Sequence, residues 1–206
     1  MRGLMLKEIY TMKHMYKSWA LAFLFVAVYS AAFKNIGLVY MFPVMFGFNG
    51  IVTSFSSDEA SQWDVSVLAM PVNRKKVVQS KYAFMLFMDF LMTAAATAVV
   101  FLGCGLGFGF LREMLLTGGA LVSILMIYQA IEIPVIFRVG VEKARLLCLV
   151  MALTPLLCLA IPWVKFPVGI TVSDLMRWEI GAFFAAAAAL AVSYHLSVKI
   201  YARKAF

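Results

Sequence analysis

Short charged breaks divide this chain into apolar runs of roughly bilayer length, and that alternation leaves few folds open to it. A membrane-crossing helix needs about 20 mostly apolar residues. Six segments approach that length: residues 18–33, 36–55, 82–108, 115–137, 146–164 and 179–198. A soluble core does not absorb so much apolar sequence. The chain is 64% hydrophobic and 14% charged, against about 45–50% and about 25% in soluble domains. The expected fold is therefore all-α and integral to the membrane, a single transmembrane domain over residues 1–206.

The basic residues orient the six expected spans. With the amino terminus in the cytoplasm, fourteen of the eighteen Lys and Arg fall on the inner side. Only Lys34, Arg112, Lys165 and Arg177 fall outside. This asymmetry follows the positive-inside rule and puts both termini in the cytoplasm of a multi-pass plasma-membrane protein. The formal charge of +8 is scattered among these flanks. No contiguous basic face of the kind nucleic acid requires is present, so a nucleic-acid partner is not expected.

Residues 1–19 place Met5, Ile9, Met12, Tyr16 and Trp19 at steps of four and three, on one helical face. A helix lying on the inner lipid surface is expected over residues 1–17, with its lysines near anionic headgroups. The competing account is a cytoplasmic extension of the first span. The first apolar run offers no good small-residue cleavage site, so no cleaved signal is expected.

The segment 57–80 between spans two and three concentrates polar chemistry: "DEASQWDVSVLAMPVNRKKVVQSKY" runs from Asp58 to Tyr82. Ser56 and Glu59 have capping-box spacing, which predicts a short helix over 58–70. Pro71 would end it. Asn73 is a favourable cap for the next helix, which runs into span three. The first helix would expose Asp58, Glu59, Gln62, Trp63 and Asp64, an aromatic anchor among carboxylates that suits a docking surface. The alternative is that Trp63 packs against the inner ends of the spans.

This stretch resembles the signature of the small ABC-2 family permeases. There an acidic pair (Asp58, Glu59), a Trp (Trp63), a proline–arginine turn (Pro71, Arg74) and a "SKY" foot (Ser80 to Tyr82) follow in that order. Met70 replaces the usual Leu before the proline. Glu132 and Pro134, followed by residues 138–145 "RVGVEKAR", resemble a second family stretch. Within the family, exporters of amphipathic peptides such as phenol-soluble modulins and lantibiotics are the most similar. The resemblance implies a permease subunit of an ATP-binding cassette transporter. It also implies a coupling helix at the charged loop that docks on a separate ATPase subunit through Asp58, Glu59, Gln62, Trp63, Asp64, Pro71 and Arg74. That partner would bind ATP and Mg.

The residues agree with an energy source outside the chain, since no phosphate-binding Gly-x-x-x-x-Gly-Lys-Ser/Thr loop is present. No cofactor, metal or catalytic residue is expected. The two histidines, His14 and His195, form no His-Glu-x-x-His motif. Cys104, Cys148 and Cys158 lie in apolar runs and read as buried small hydrophobes. Six helices enclose little space, so a second permease copy, by symmetry a homodimer, is expected beside the lipid.

Asn49 in span two, Asp89 in span three and Glu132 in span four are polar groups at membrane depth. An ionised carboxylate there costs about 2.5–3.5 kcal/mol on insertion scales, so both acids should face protein or water. A gating or cargo-facing role competes with a structural ion pair, for example to Lys81. Pro43 and Pro134 would loosen their helices or kink them statically. A lid helix capped by Ser173 is expected outside, and the abundant Phe and Met suit either an amphipathic cargo or lipid contact. The alternative function is a nucleotide-independent channel or a structural or immunity membrane protein, which would need no docking helix.

Overall fold

A computed structural model describes residues 2–32, 36–68, 73–104, 108–146 and 172–203. Among these the chain is helical, with no strand: α1 (Arg2–Ala32), a 3₁₀ turn (Ile36–Tyr40), α2 (Met41–Ala60), α3 (Trp63–Leu68), α4 (Arg74–Cys104), α5 (Phe108–Val139) and α6 (Val172–Arg203). A further short helical stretch covers residues 141–146.

Four helices are long and apolar enough to cross a membrane: Leu38–Ala60, Arg74–Leu102, Met114–Val139 and Trp178–Arg203. They correspond to expected spans two, three, four and six. The first expected span appears as the shorter apolar stretch Met15–Ser30. The fifth, 146–164, lies outside the described residues apart from Leu146.

The amino-terminal segment is not a separate surface helix. Residues 2–17 continue without a break into the apolar part of α1. The buried face is also rotated from the one expected. Ile9 is exposed, while Leu4, Tyr16 and Trp19 pack on the core and Met12 is buried in it. Glu8 is buried on that same face. The 3, 4 spacing was right; the member missing from the stripe was a carboxylate.

Aromatic rings fix how α1 meets α2. Trp19 stands edge-on to Phe42 and Phe46, with ring centres 5.9 and 5.2 Å apart. Pro43 sits in the first turn of α2, where a backbone N–H has no intrahelical acceptor, so it causes no kink. Pro134 lies inside α5, which continues past it to Val139. At the other end, α6 starts at Val172 and runs unbroken, so Ser173 lies in its first turn and caps no separate lid helix.

The α4 and α6 helices are joined through hydroxyls. Tyr82 Oη lies 2.7 Å from Ser193 Oγ and 2.8 Å from Ser197 Oγ, all buried. Ser193 and Ser197 are one turn apart, so the pair forms a single cradle on the face of α6.

Candidate functional site

The elbow between α2 and α4 differs from the expected helix–turn–helix in one respect. Ser56, Ser57, Asp58 and Glu59 are the last turns of α2, not the start of a new helix. A capping box satisfies free N–H groups at a helix start; here the preceding turn of α2 already occupies them. The true break is at Ser61 and Gln62. The Ser61 N–H donates to Ser57 O (3.1 Å) and the Gln62 N–H to Glu59 O (3.1 Å). Gln62 adopts φ +50°, the left-handed turn that ends many helices.

α3 then carries Trp63 and Asp64, and α4 starts after Asn73. Asn73 acts as expected: its Oδ1 accepts the Lys75 N–H at 3.1 Å. Pro71 lies outside the described residues.

Asp58 is not on an exposed docking face. It is buried and joins a four-charge cluster with Lys7, Glu8 and Lys81. Lys81 Nζ lies 3.0 Å from Glu8 Oε1, 2.7 Å from Asp58 Oδ2 and 2.5 Å from Ser54 Oγ. Lys7 Nζ lies 3.1 Å from Glu8 Oε1 and also pairs with Asp58 Oδ1. The Ser54 hydroxyl donates to Glu8 Oε2 at 2.6 Å.

Two ammoniums face two carboxylates, so the cluster is neutral as a whole. Every member except Lys7 is under 10% exposed as a residue. Burial alone would raise the Glu8 pKa. Lys81, Lys7 and the hydrogen bonds from Ser54 and Lys81 outweigh it and hold the carboxyl below its ordinary value.

The cluster joins three elements: α1 through Lys7 and Glu8, the end of α2 through Ser54 and Asp58, and α4 through Lys81. Rings extend it. Lys7 Nζ sits 4.6 Å from the Trp63 ring centre, and Lys81 Nζ sits 4.7 Å from that of Phe55. Trp63 is half-buried and packs on the core. Lys81, one of the partners open to a membrane-depth acid, instead pairs with Glu8 and Asp58 at the elbow.

Two more contacts tie the elbow to the rest of the chain. Glu59 is exposed, and its Oε1 accepts the Val141 N–H at 3.1 Å. Gly140, with φ +87°, ends α5, and the 141–146 stretch begins beside it. The Glu59 carboxylate thus caps that stretch. Arg74 Nη1 donates to the carbonyls of Ala202 (3.1 Å) and Tyr201 (3.4 Å), at the carboxyl end of α6 where a cation is favoured.

Gln62 is exposed. Of the expected partner-binding residues, Asp58, Glu59, Trp63 and Arg74 are therefore held by contacts within the chain. Glu8, Lys7 and Ser54 were missed. The available signal was a carboxylate on the apolar side of an otherwise amphipathic helix.

The membrane-depth acids form a second polar locus. Asp89 and Gln129 are both buried, and Gln129 Nε2 donates to Asp89 Oδ2. Glu132 is buried one turn along α5 from Gln129. A Cβ on Gly47 would lie 3.6 Å from Asp89 Oδ1, so α2 borders this locus too. Asp89 lies eight residues, about 12 Å, along α4 from Lys81. Asn49 is exposed and donates its amide to Met45 O (2.9 Å) within its own helix. Among the described residues no cluster of His, Cys, Asp and Glu could hold a metal ion.

A family model described as an ABC-2 family transporter protein matches residues 3–202. No curated protein and no solved structure matches the chain.

Proposed function

The chain belongs to the ABC-2 family of transporter proteins, and from this premise we infer that it is the membrane permease subunit of an ATP-binding cassette transporter, driven by ATP hydrolysed in a separate ATPase subunit. The elbow from Asp58 to Arg74 is the coupling element. The ATPase docks on the face that carries Glu59, Gln62, Trp63 and Asp64, of which Glu59 and Gln62 are exposed. The plasma membrane is its location, and the elbow and both termini face the cytoplasm.

The observation that carries this reading is the buried four-charge cluster. It locks the elbow to α1, α2 and α4 at once. A force applied at Trp63 therefore moves three helices as one body and does not dissipate in a loose loop. Rigid-body transmission of this kind is one of the standard routes for switching between two states. Asp89, Gln129 and Glu132 sit between α2, α4 and α5, where such a movement would be felt, and Asn49 is on the adjoining helix. They act as gating groups.

Amphipathic peptides are the cargo, and export is the direction; both rest on the resemblance of the charged segment to peptide exporters. The transport path forms between two copies of the chain.

The test is co-expression with the ATPase subunit and measurement of its ATP hydrolysis in proteoliposomes. Reversal of charge at Glu59 and Asp64, and Trp63→Ala, should each reduce stimulation several-fold while the permease still reaches the membrane. Stimulation that survives all three substitutions sinks the coupling assignment.

A further inference from the structure

Far from the elbow, α4, α5 and α6 frame an apolar groove of about 560 Å³, with Phe90, Phe101 and Phe183 among its walls. That volume falls in the range of small-molecule sites, about 300–1,000 Å³. Its α4 wall runs from Phe90 to Phe101, about 16 Å of helix.

Polar chemistry borders the groove at two places. A Cβ on Gly119 would collide with Glu179 Oε1, so the Glu179 carboxylate rests directly on the bare backbone of a groove residue. Glu179 is half-buried, and among the described residues no Lys or Arg forms an ion pair with it. Phe183 follows Glu179 by one turn on the same helix face. Deeper in, Thr93 Oγ1 is buried without a hydrogen-bond partner. Thr97 donates its hydroxyl back to Thr93 O at 2.8 Å. Among the described residues, none that lines the groove is basic.

A half-buried carboxylate with no counter-ion among the described residues, at the edge of an apolar slot, is a site for a cation that brings its own apolar body. Ionised carboxylates removed from water require such a partner. We propose that the groove binds a single-chain amphiphile with a protonated amine head: the alkyl chain lies between α4 and α6, and the ammonium pairs with Glu179. The bare backbone at Gly119 seats the Glu179 carboxylate, and that at Gly118 lets α5 approach Thr93 and Thr97 of α4. A Cβ at Gly118 would already sit 3.4 Å from both Thr93 Cγ2 and Thr97 Oγ1. This site stands apart from the coupling reading, because binding needs no ATPase.

The experiment places the full chain in nanodiscs of uncharged phospholipid near pH 7 and titrates three matched probes: dodecylammonium, dodecanol and dodecanoate. The amine should bind at least tenfold more tightly than the alcohol, and the carboxylate more weakly than either. Glu179→Gln should abolish the amine's advantage and leave the alcohol unchanged. Ala98 lines the groove and is exposed, so Ala98→Phe should fill the slot without disturbing the core and weaken amine and alcohol alike.

Equal binding of the three probes overturns the proposal, as does an amine preference that survives Glu179→Gln. So does an Ala98→Phe chain that binds the amine normally but changes its oligomeric state, since the groove would then belong to a second copy.

Discussion

Glu8 and Lys81 lie 73 residues apart in sequence and meet inside the protein, with both carboxylate oxygens about equally close to one ammonium. The first residue is in the helix that starts the chain and the second is in the foot of α4. Their contact makes the elbow part of the helix bundle. Asp58 and Lys7 complete the cluster, so removing any one charge leaves the other three unbalanced.

Lys81→Met tests that balance. It leaves Glu8 and Asp58 facing Lys7 alone. Removing one member of a buried pair typically costs about 3–5 kcal/mol. Thermal unfolding of the purified variant should show a loss of that order. Lys76→Met, at an exposed position in the same helix, should show almost none.

Glu8 also predicts a pH dependence with a definite sign. Its folded pKa lies below the ordinary glutamate value of about 4.5, so the unfolded chain takes up the proton first as pH falls. The stabilisation is complete above about pH 4.5 and is lost as pH drops through the folded value. Melting temperature in the wild type should decline on acidification below that point. Glu8→Gln should be less stable at neutral pH and should lack this part of the decline. An identical acid limb in both proteins would refute the linkage.

Much of the architecture was legible in the sequence because it depends on local properties. Four of the expected spans appear, with ends displaced by one to eight residues, since span length is a matter of apolar run length. Asn73 caps α4 as expected, since capping is decided within three residues. The cluster was not legible. Glu8, Ser54 and Lys81 are far apart in the chain, and no local pattern records that they converge. Asp58 and Glu59 were misplaced for a related reason. Ser-x-x-Glu spacing starts a helix only when the chain before it is not already helical, and α2 runs straight through. Once the helix continues, Asp58 turns into the core and Glu59, one residue on, turns out toward Val141.

Glu59 separates a hydrogen bond from a charge. A helix cap contributes about 0.5–2 kcal/mol. Glu59→Ala should expose the amides of residues 141–146 to faster hydrogen exchange, by up to about tenfold. Glu59→Gln keeps an acceptor oxygen and should retain most of the protection. If both variants exchange alike, the Glu59–Val141 contact contributes through charge alone, or not at all.

Tyr82→Phe removes the hydroxyl shared by Ser193 and Ser197. Both serine hydroxyls are buried, and they lose their common partner together. Leaving a buried polar group unsatisfied costs about 1–3 kcal/mol. The variant should melt earlier, and disulfide cross-linking between cysteines introduced at exposed positions of α4 and α6 should become less selective. Restoring the melting temperature with Ser193→Ala and Ser197→Ala in the Tyr82→Phe background would show that the cost lies in the abandoned hydroxyls.

Gln62 stands in the left-handed region at φ +50°, where a side chain costs about 1–2 kcal/mol relative to glycine. Gln62→Gly relieves that strain but gives the unfolded chain more freedom, an offset of about 0.5–1 kcal/mol. A net gain of about 0.5–1 kcal/mol in stability should result, read from the shift in denaturation midpoint. The exposed amide of Gln62 is also part of the surface assigned to the ATPase. The same variant should therefore show weaker stimulation of ATP hydrolysis while being more stable. Stability and coupling moving in opposite directions would identify Gln62 as a residue kept for its contact and not for its fold; a gain in both would remove it from the docking surface.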